Sequence, residues 1–142
     1  MAMLISIEEL YIDCIIWLNE WVLVGFTYAK VNLSNPARKE KKREVELPVD
    51  TGAILTAIPR KILEELQIKP VGKRKLRVFG GQVVEREIGA TLINYAEAYA
   101  GITVIFAEEK DTSVLGATAL EALGYQVDPV TKQLKPTELL MI

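Results

Sequence analysis

One stretch of this sequence places an acidic side chain at a turn between two apolar segments. It reads ELPVDTGAILTAIP and spans residues 46–59. Asp50 follows an alternating apolar segment, and Thr51-Gly52 lead into a second apolar run. An ionisable group in such surroundings costs free energy unless it is paired or used. Asp50 is therefore the first candidate for a catalytic residue.

The residue types that the chain lacks narrow the chemistry open to Asp50. Its 142 residues include no His and a single Cys, Cys14. Ser-His-Asp, Cys-His and His-based zinc chemistry are excluded, as is an intrachain disulfide. Neither a Walker-type nor a dinucleotide-type glycine loop occurs. Carboxylates are the best remaining candidates for catalytic groups, followed by lysines and hydroxyls. We expect neither a metal nor a cofactor.

Length and charge indicate one globular domain. Half of the residues are apolar, a quarter are charged, and the net charge is −2. A general nucleic-acid binder would be basic, so we expect no nucleic-acid partner. The basic run Arg38 to Arg43 is interpreted as a solvated hairpin loop. No targeting, lipidation or membrane-spanning pattern is visible, which makes the cytoplasm the default location and membrane binding unexpected.

The first 24 residues differ from the rest. They are apolar, carry four acidic residues and contain no Lys or Arg. Ser6 and Glu9 fit a capping box, so an amphipathic helix from Ile7 is one interpretation. The other is that the true start lies near Val24. Both stay open, and residues 25–142 are assigned to the folded domain.

Period-two alternation of apolar residues predicts β-strands through most of that domain. Thr27, Ala29, Val31 and Leu33 share one face, and Val45, Leu47 and Val49 lead to Asp50. Further strands are predicted at 56–58, 83–88, 90–95 and 99–106, a last hairpin at 126–134, and short helices from Pro59 and over 117–123. The total of seven or eight strands without βαβ alternation predicts a mainly β fold.

A glycine pair marks the middle of the chain. Phe79, Gly80, Gly81 and Gln82 lie between Leu76-Arg77-Val78 and the strand that begins at Val83. Gly-Gly between two strands predicts a hairpin closed by a tight two-residue turn.

Four motifs together resemble the retropepsin-like aspartic proteases, in particular their small archaeal and bacterial members. They are Val49-Asp50-Thr51-Gly52-Ala53, the extended Thr56-Ala57-Ile58, the Gly80-Gly81 hairpin, and Val114-Leu115-Gly116 before a short helix. The resemblance covers roughly residues 25–136. It implies a closed β-barrel, half of an acid-protease fold, with a flap hairpin and two short helices.

The resemblance also implies a role for each motif. Asp50 would be catalytic and Thr51, Gly52 and Ala53 would support its loop, with Thr51 hydrogen-bonding across a two-fold axis. The flap would be formed by Phe79, Gly80, Gly81 and Gln82. Ile54, Leu55 and Val84 would line the substrate pocket beside Ala53, and Val114, Leu115 and Gly116 would pack beneath the loop of Asp50. The substrate would be an extended polypeptide, cleaved between apolar residues.

The number of such motifs predicts the assembly. Aspartic proteases use two carboxyl groups that share a proton, and this chain contains one Asp-Thr-Gly. A protease built from it must be a two-fold homodimer. Viral members steady their dimer with an ion pair, but the matching positions here are Ile54-Leu55 and Ala117-Thr118. We therefore expect the apolar segment 139–142 or the N-terminal segment to contribute to the interface.

Two other functions fit the same sequence. The chain could be a dimeric peptide-binding module of this fold that cleaves poorly or not at all. It could also be a structural β domain of a larger assembly, docked through its N-terminal segment. Activity that is lost in Asp50→Asn without loss of folding would separate the protease from both.

Overall fold

A computed structural model describes residues 27–141 and shows a mainly β fold. The strands are β1 (Tyr28–Asn35), β2 (Arg38–Pro48), β3 (Thr56–Pro59), β4 (Gly72–Arg77), β5 (Val83–Tyr95), β6 (Ala98–Ala107), β7 (Tyr125–Val127) and β8 (Leu134–Pro136), and the helices are α1 (Arg60–Glu65) and α2 (Ala117–Leu123). For these residues the mainly β class and the two short helices are confirmed. The alternatives for residues 1–24 lie outside the described residues.

Six strands form one sheet with the order β2-β1-β5-β6-β3, and β4 pairs with the first half of β5. The predicted closed barrel is wrong for the described residues. Closure needs hydrogen bonds between the two end strands, β2 and β3. β3 has only four residues, and its side away from β6 is taken by Val114, which exchanges backbone hydrogen bonds with Ala57. The sheet therefore remains open.

β1 shows the alternation read from the sequence. Ala29, Val31 and Leu33 are buried, and Thr27 just before the strand is buried as well. Ala29, Val31 and Leu33 belong to one hydrophobic core that also contains buried residues of β5, β6, α1 and α2. The fully buried large side chains of this core are Phe106, Leu33, Leu47, Ile58, Leu63, Leu66, Ile93, Leu115, Val31 and Val104.

The basic run Arg38 to Arg43 is not a loop. It forms the first half of β2, and the connection to β1 is only Pro36-Ala37. β2 pairs with β1 alone within the sheet, so these side chains project largely into solvent, and Lys residues are typical of such an edge. The charge pattern correctly indicated exposure, but exposure does not distinguish an edge strand from a loop.

The segments 83–88 and 90–95 form one strand, β5, rather than two. Gly89, between them, has a packing role. A Cβ at this position would lie 2.9 Å from Cε1 of Phe106, so the glycine allows the strand to cross that ring. The helix after β3 also differs slightly, because Pro59 is its N-cap and Arg60 its first residue.

The C-terminal elements follow the sequence pattern. α2 ends at Gly124, whose φ of 79° is the left-handed conformation of a helix C-cap. The β7–β8 hairpin turns at Asp128, where Oδ1 accepts the backbone N–H of Val130 at 2.8 Å. Neither of the helices in the described part of the chain has the length and apolarity that crossing a membrane requires.

Candidate functional site

Asp50 lies two residues after the end of β2, at the start of a tight turn. The strand is anchored by the N–H of Val49, which donates to the carbonyl of Thr27 at 2.8 Å. The N–H of Ala53 donates to the carbonyl of Asp50 at 3.1 Å and closes the turn, and that of Gly52 donates to Asp50 Oδ1 at 2.9 Å. The sequence Asp-Thr-Gly thus folds so that its own backbone fixes the carboxylate.

Val114-Leu115-Gly116 passes between the two arms of the Asp50 loop, which we define as residues 49–57. On one side the N–H of Leu115 donates to the carbonyl of Pro48 at 2.9 Å, and that of Asp50 donates to Leu115 at 3.0 Å. On the other side Ala57 and Val114 exchange hydrogen bonds of 3.0 and 3.1 Å. Two segments about sixty residues apart therefore form one unit. Both segments were predicted from the sequence to belong to the site, and the structure brings them together.

Gly116 occupies a space that admits no side chain. An added Cβ would lie 2.6 Å from the carbonyl oxygen of Leu55 and 3.0 Å from that of Ala53. The N–H of Gly116 donates to Thr56 Oγ1 at 2.9 Å in a fully buried contact. The Asp50 loop and the start of α2 are thus in direct backbone contact.

The first turn of α2 holds the Asp50 loop from the same side. The N–H of Ala117 donates to the carbonyl of Ala53 at 2.7 Å, and both the N–H and Oγ1 of Thr118 donate to Ile54, at 3.1 and 2.7 Å. The roles of Thr56 and Thr118 were not predicted from the sequence. A hydroxyl inside the apolar run at Thr56 was a usable signal, whereas nothing local marked Thr118.

The Asp50 carboxylate is open to solvent. The residue is exposed, and within residues 27–141 its side chain has one hydrogen-bond partner, the N–H of Gly52. No Lys or Arg of the described chain forms an ion pair with it. Thr51 is exposed as well. The site offers a fixed carboxylate whose remaining acceptor positions are not occupied by residues 27–141.

The Gly80-Gly81 hairpin is present, but its loop has three residues and not two. The N–H of Val78 donates to the carbonyl of Gln82 at 2.9 Å, which leaves Phe79, Gly80 and Gly81 as the tip. Both glycines have positive φ, 98° and 90°, as such a loop requires. The N–H of Gly81 also donates to the carbonyl of Val78, and this second hydrogen bond closes the longer loop.

The hairpin tip and the Asp50 loop are not joined by hydrogen bonds within the described chain. No described hydrogen bond joins Phe79, Gly80, Gly81 or Gln82 to residues 49–57. Phe79 and Ile54 are apolar yet 64% and 70% exposed. Leu55 and Val84 are half-buried. The predicted pocket residues therefore present apolar surface without forming a closed pocket in the single chain.

The larger of two described cavities lies away from Asp50. It measures about 810 Å³ and is lined by the β1–β2 turn, α1 and the segment after it, including Pro36, Glu64 and Gln67. The smaller, about 340 Å³, lies at the base of the hairpin and is lined by charged side chains of β4, β5 and α1. Neither is lined by residues of the Asp50 loop.

Ion pairs join the base of the hairpin to the body. Arg86 on β5 donates to both carboxylate oxygens of Asp111, at 2.7 and 2.9 Å. The hydrogen bond from Arg86 holds the pKa of Asp111 below its usual value, and the N–H of Glu108 adds to this effect. Asp111 lies three residues before Val114, so this pair connects the hairpin to the segment that crosses the Asp50 loop.

A second ion-pair group lies beside it. Arg60, at the start of α1, bonds Glu87 of β5 at 2.7 Å and Glu108 at 2.9 Å. The hydrogen bond that Arg60 donates to Glu108, and then the one that it donates to Glu87, raises the pKa of Arg60. Its guanidinium carbon also lies 5.0 Å from the centre of the Phe106 ring. Two adjacent residues of β5, Arg86 and Glu87, are therefore held by charged contacts.

Residues 27–141 contain no group of three or more His, Cys, Asp or Glu side chains arranged to hold a metal ion. Comparison with protein-family models and with curated proteins gave no match to this chain.

Proposed function

We propose that this chain is an aspartic endopeptidase that is active as a two-fold homodimer. The observation that carries the proposal is the Asp50 loop itself. An exposed carboxylate is fixed by the N–H of Gly52, and Val114-Leu115-Gly116 braces both arms of its loop. Such a rigid, solvent-facing carboxylate is suited to activate a water molecule as general base.

The exposed apolar residues around the loop support the assembly. The exposed side chains of Ile54 and Phe79 would be buried when two chains form a symmetric cleft. Burial of apolar surface favours association. Thr51 is exposed beside the carboxylate and is free to contact its symmetry mate. In the dimer two copies of Asp50 would meet at the axis, share one proton and act as base and acid in turn.

The substrate would be an extended peptide segment held between the hairpin and the Asp50 loop. Extended peptides are recognised by backbone hydrogen bonds together with pockets for alternate side chains. Ala53, Ile54, Leu55 and Val84 would supply apolar pockets next to the cleaved bond. Phe79 at the tip would close over the peptide and exclude water.

The proposal is tested by cleavage of an unfolded protein mixture between about pH 3.5 and 7, the range in which a coupled carboxyl pair holds one proton. Wild type is compared with Asp50→Asn and with Glu46→Gln, which neutralises an exposed carboxylate four residues away on β2. Cleavage between apolar residues is expected from wild type and Glu46→Gln and not from Asp50→Asn. Equal cleavage by all three proteins would refute the role of Asp50.

A mixing experiment tests whether the site is shared. Wild type is unfolded and refolded together with a ninefold excess of Asp50→Asn. If each site needs one Asp50 from each chain, activity per wild-type chain should fall about tenfold, because most wild-type chains then pair with the variant. Unchanged activity per wild-type chain would show that one chain suffices. A folded dimer without any cleavage would instead favour the peptide-binding module.

A further inference from the structure

Strand β4 has a free backbone edge. It pairs with β5 and with no other strand among residues 27–141. The N–H of Val78 donates to the carbonyl of Gln82, and hydrogen-bonded positions alternate along an antiparallel ladder. By this alternation Leu76 and Arg74 face β5, whereas the backbone N–H and C=O groups of Lys73, Lys75 and Arg77 point outward to the open edge.

The same edge is basic. Four of the six residues of β4 are Lys or Arg, and none is acidic. The side chains of Lys73, Lys75 and Arg77 share one face, because alternate residues of a strand do. A strand added to this edge would place every second side chain on that face, next to these cations.

Two of these cations have no partner within the described chain. Lys73 lies opposite Glu87 and Lys75 opposite Glu85, but neither pair is among the ion pairs of residues 27–141. Glu87 is instead bound by Arg60 at 2.7 Å. Arg77 donates to the carbonyl of Gly81 at 2.6 Å and so belongs to the tip. The charges of Lys73 and Lys75 are therefore available to an external group.

We propose that the open edge of β4 binds an extended acidic peptide by strand addition, and that the peptide carries acidic residues at alternate positions. The outward N–H and C=O groups supply main-chain hydrogen bonds, and Lys73 and Lys75 select the side chains. A second copy of β4 is disfavoured at this edge, because two rows of cations would repel one another.

The inference rests on the proposed function in one respect: the acidic segment is assigned to the substrate, flanking its apolar cleavage site. Because β4 leads directly to the tip at Phe79, a peptide that lies along β4 continues toward the tip. Substrates with alternating acidic residues beside an apolar centre should therefore be preferred over neutral ones.

Binding is measured first, without reliance on catalysis. The full chain carrying Asp50→Asn is titrated into fluorescein-labelled peptides of equal length, and anisotropy is recorded. One peptide has an apolar centre flanked by glutamates at alternate positions. A second carries the same glutamates consecutively, a third has glutamines in their place, and a fourth is the first with alternate backbone amides methylated on the hydrogen-bonding side.

The alternating-glutamate peptide should bind about tenfold more tightly than the glutamine peptide at low ionic strength. Lys73→Gln/Lys75→Gln should reduce that ratio to about two or less. Lys39→Gln/Lys42→Gln removes two exposed cations from the other basic edge strand, β2, and should leave the ratio unchanged. Methylation should abolish the preference, because it blocks the main-chain hydrogen bonds of strand addition.

Equal affinity for the alternating and glutamine peptides would overturn the inference, as would equal affinity for the alternating and consecutive peptides. Equal loss of binding in the β2 variant would also overturn it, since this would indicate general charge attraction. Cleavage by wild type separates the two proposals. Asp50-dependent cleavage without acidic preference would leave the protease standing and the β4 inference refuted. Selective binding of the acidic peptide without cleavage would support the β4 inference and refute the protease.

Discussion

Substitution of Gly116 tests the connection between the Asp50 loop and α2. In Gly116→Ala the new Cβ would lie 2.6 Å from the carbonyl oxygen of Leu55 and 2.7 Å from its carbonyl carbon. These are backbone atoms, so no rotation of a side chain relieves the overlap. Gly116 has φ −91° and ψ 176°, which any residue adopts. The effect of the substitution is therefore steric and not conformational.

The magnitude follows from two opposing terms. Overpacking in a close-packed region costs about 1–3 kcal/mol, and contact with fixed backbone places this site at the upper end. Replacing Gly by Ala restricts the unfolded chain and returns about 0.4–1 kcal/mol. The net loss in free energy of unfolding is about 2 kcal/mol, which corresponds to a fall in Tm of roughly 5–8 °C for a chain of this size.

The assay is urea denaturation followed by far-UV circular dichroism, with thermal unfolding as a second measure. Gly101→Ala is the matched control. It lies in β6, where an added Cβ would meet only Cδ2 of Leu92 at 3.9 Å, an ordinary contact. The control should be as stable as wild type or slightly more stable.

A Gly116→Ala protein with wild-type stability would refute the steric reasoning. If the loss is as large as expected, a second readout follows. The overlapping atoms belong to Leu55 and Ala53, within the Asp50 loop, so displacement of the loop should lower kcat/KM for peptide cleavage at a temperature where the variant is fully folded. Gly101→Ala should leave kcat/KM unchanged.

Three further predictions concern the ion pair, a buried amide and the tail. Asp111→Asn should lower the free energy of unfolding by about 2 kcal/mol at neutral pH, because it removes the charged hydrogen bonds from Arg86. Because the pKa of Asp111 is lowered in the folded state, the difference in stability between wild type and the variant should shrink as the pH falls below about 4. Urea titrations at several pH values measure this difference, and a difference that does not depend on pH would contradict the prediction. Asn35→Ala should cost about 1–3 kcal/mol, since the buried Nδ2 donates to the carbonyl of Leu66 at 2.9 Å at the end of α1, and an unchanged urea midpoint would count against this role. Deletion of residues 137–142 should raise the dissociation constant of the proposed dimer in sedimentation equilibrium, and an unaltered constant would exclude the tail from the proposed interface.

Much of the local structure was predictable from the sequence. The alternation in β1 identified its buried face, Gly124 marked the end of α2, and Gly80-Gly81 marked a hairpin, although its loop is one residue longer than predicted. Asp50 could be identified as a candidate catalytic residue because an acidic residue before Thr-Gly, between two apolar runs, is a pattern of neighbouring residues. Each of these features depends on neighbours a few residues away, which the sequence displays directly.

Other features depended on contacts between distant segments. The run Arg38 to Arg43 is a strand because β1 lies beside it, and the sheet is open because Val114 occupies the edge of β3. Neither fact can be read from the local pattern of charges or apolar residues. The requirement for glycine at Gly89 likewise arises from the ring of Phe106, which lies on another strand.

The candidate site divides in the same way. The sequence by itself determined that Asp50 follows a strand at an Asp-Thr-Gly turn and that Val114-Leu115-Gly116 precedes a helix. Only the tertiary structure decided that these segments interlock, that the hydroxyl of Thr56 receives the N–H of Gly116, and that no side chain fits there. The physical reason is range: turns and alternation arise from neighbouring residues, whereas steric fit between segments sixty residues apart exists only once the chain has folded.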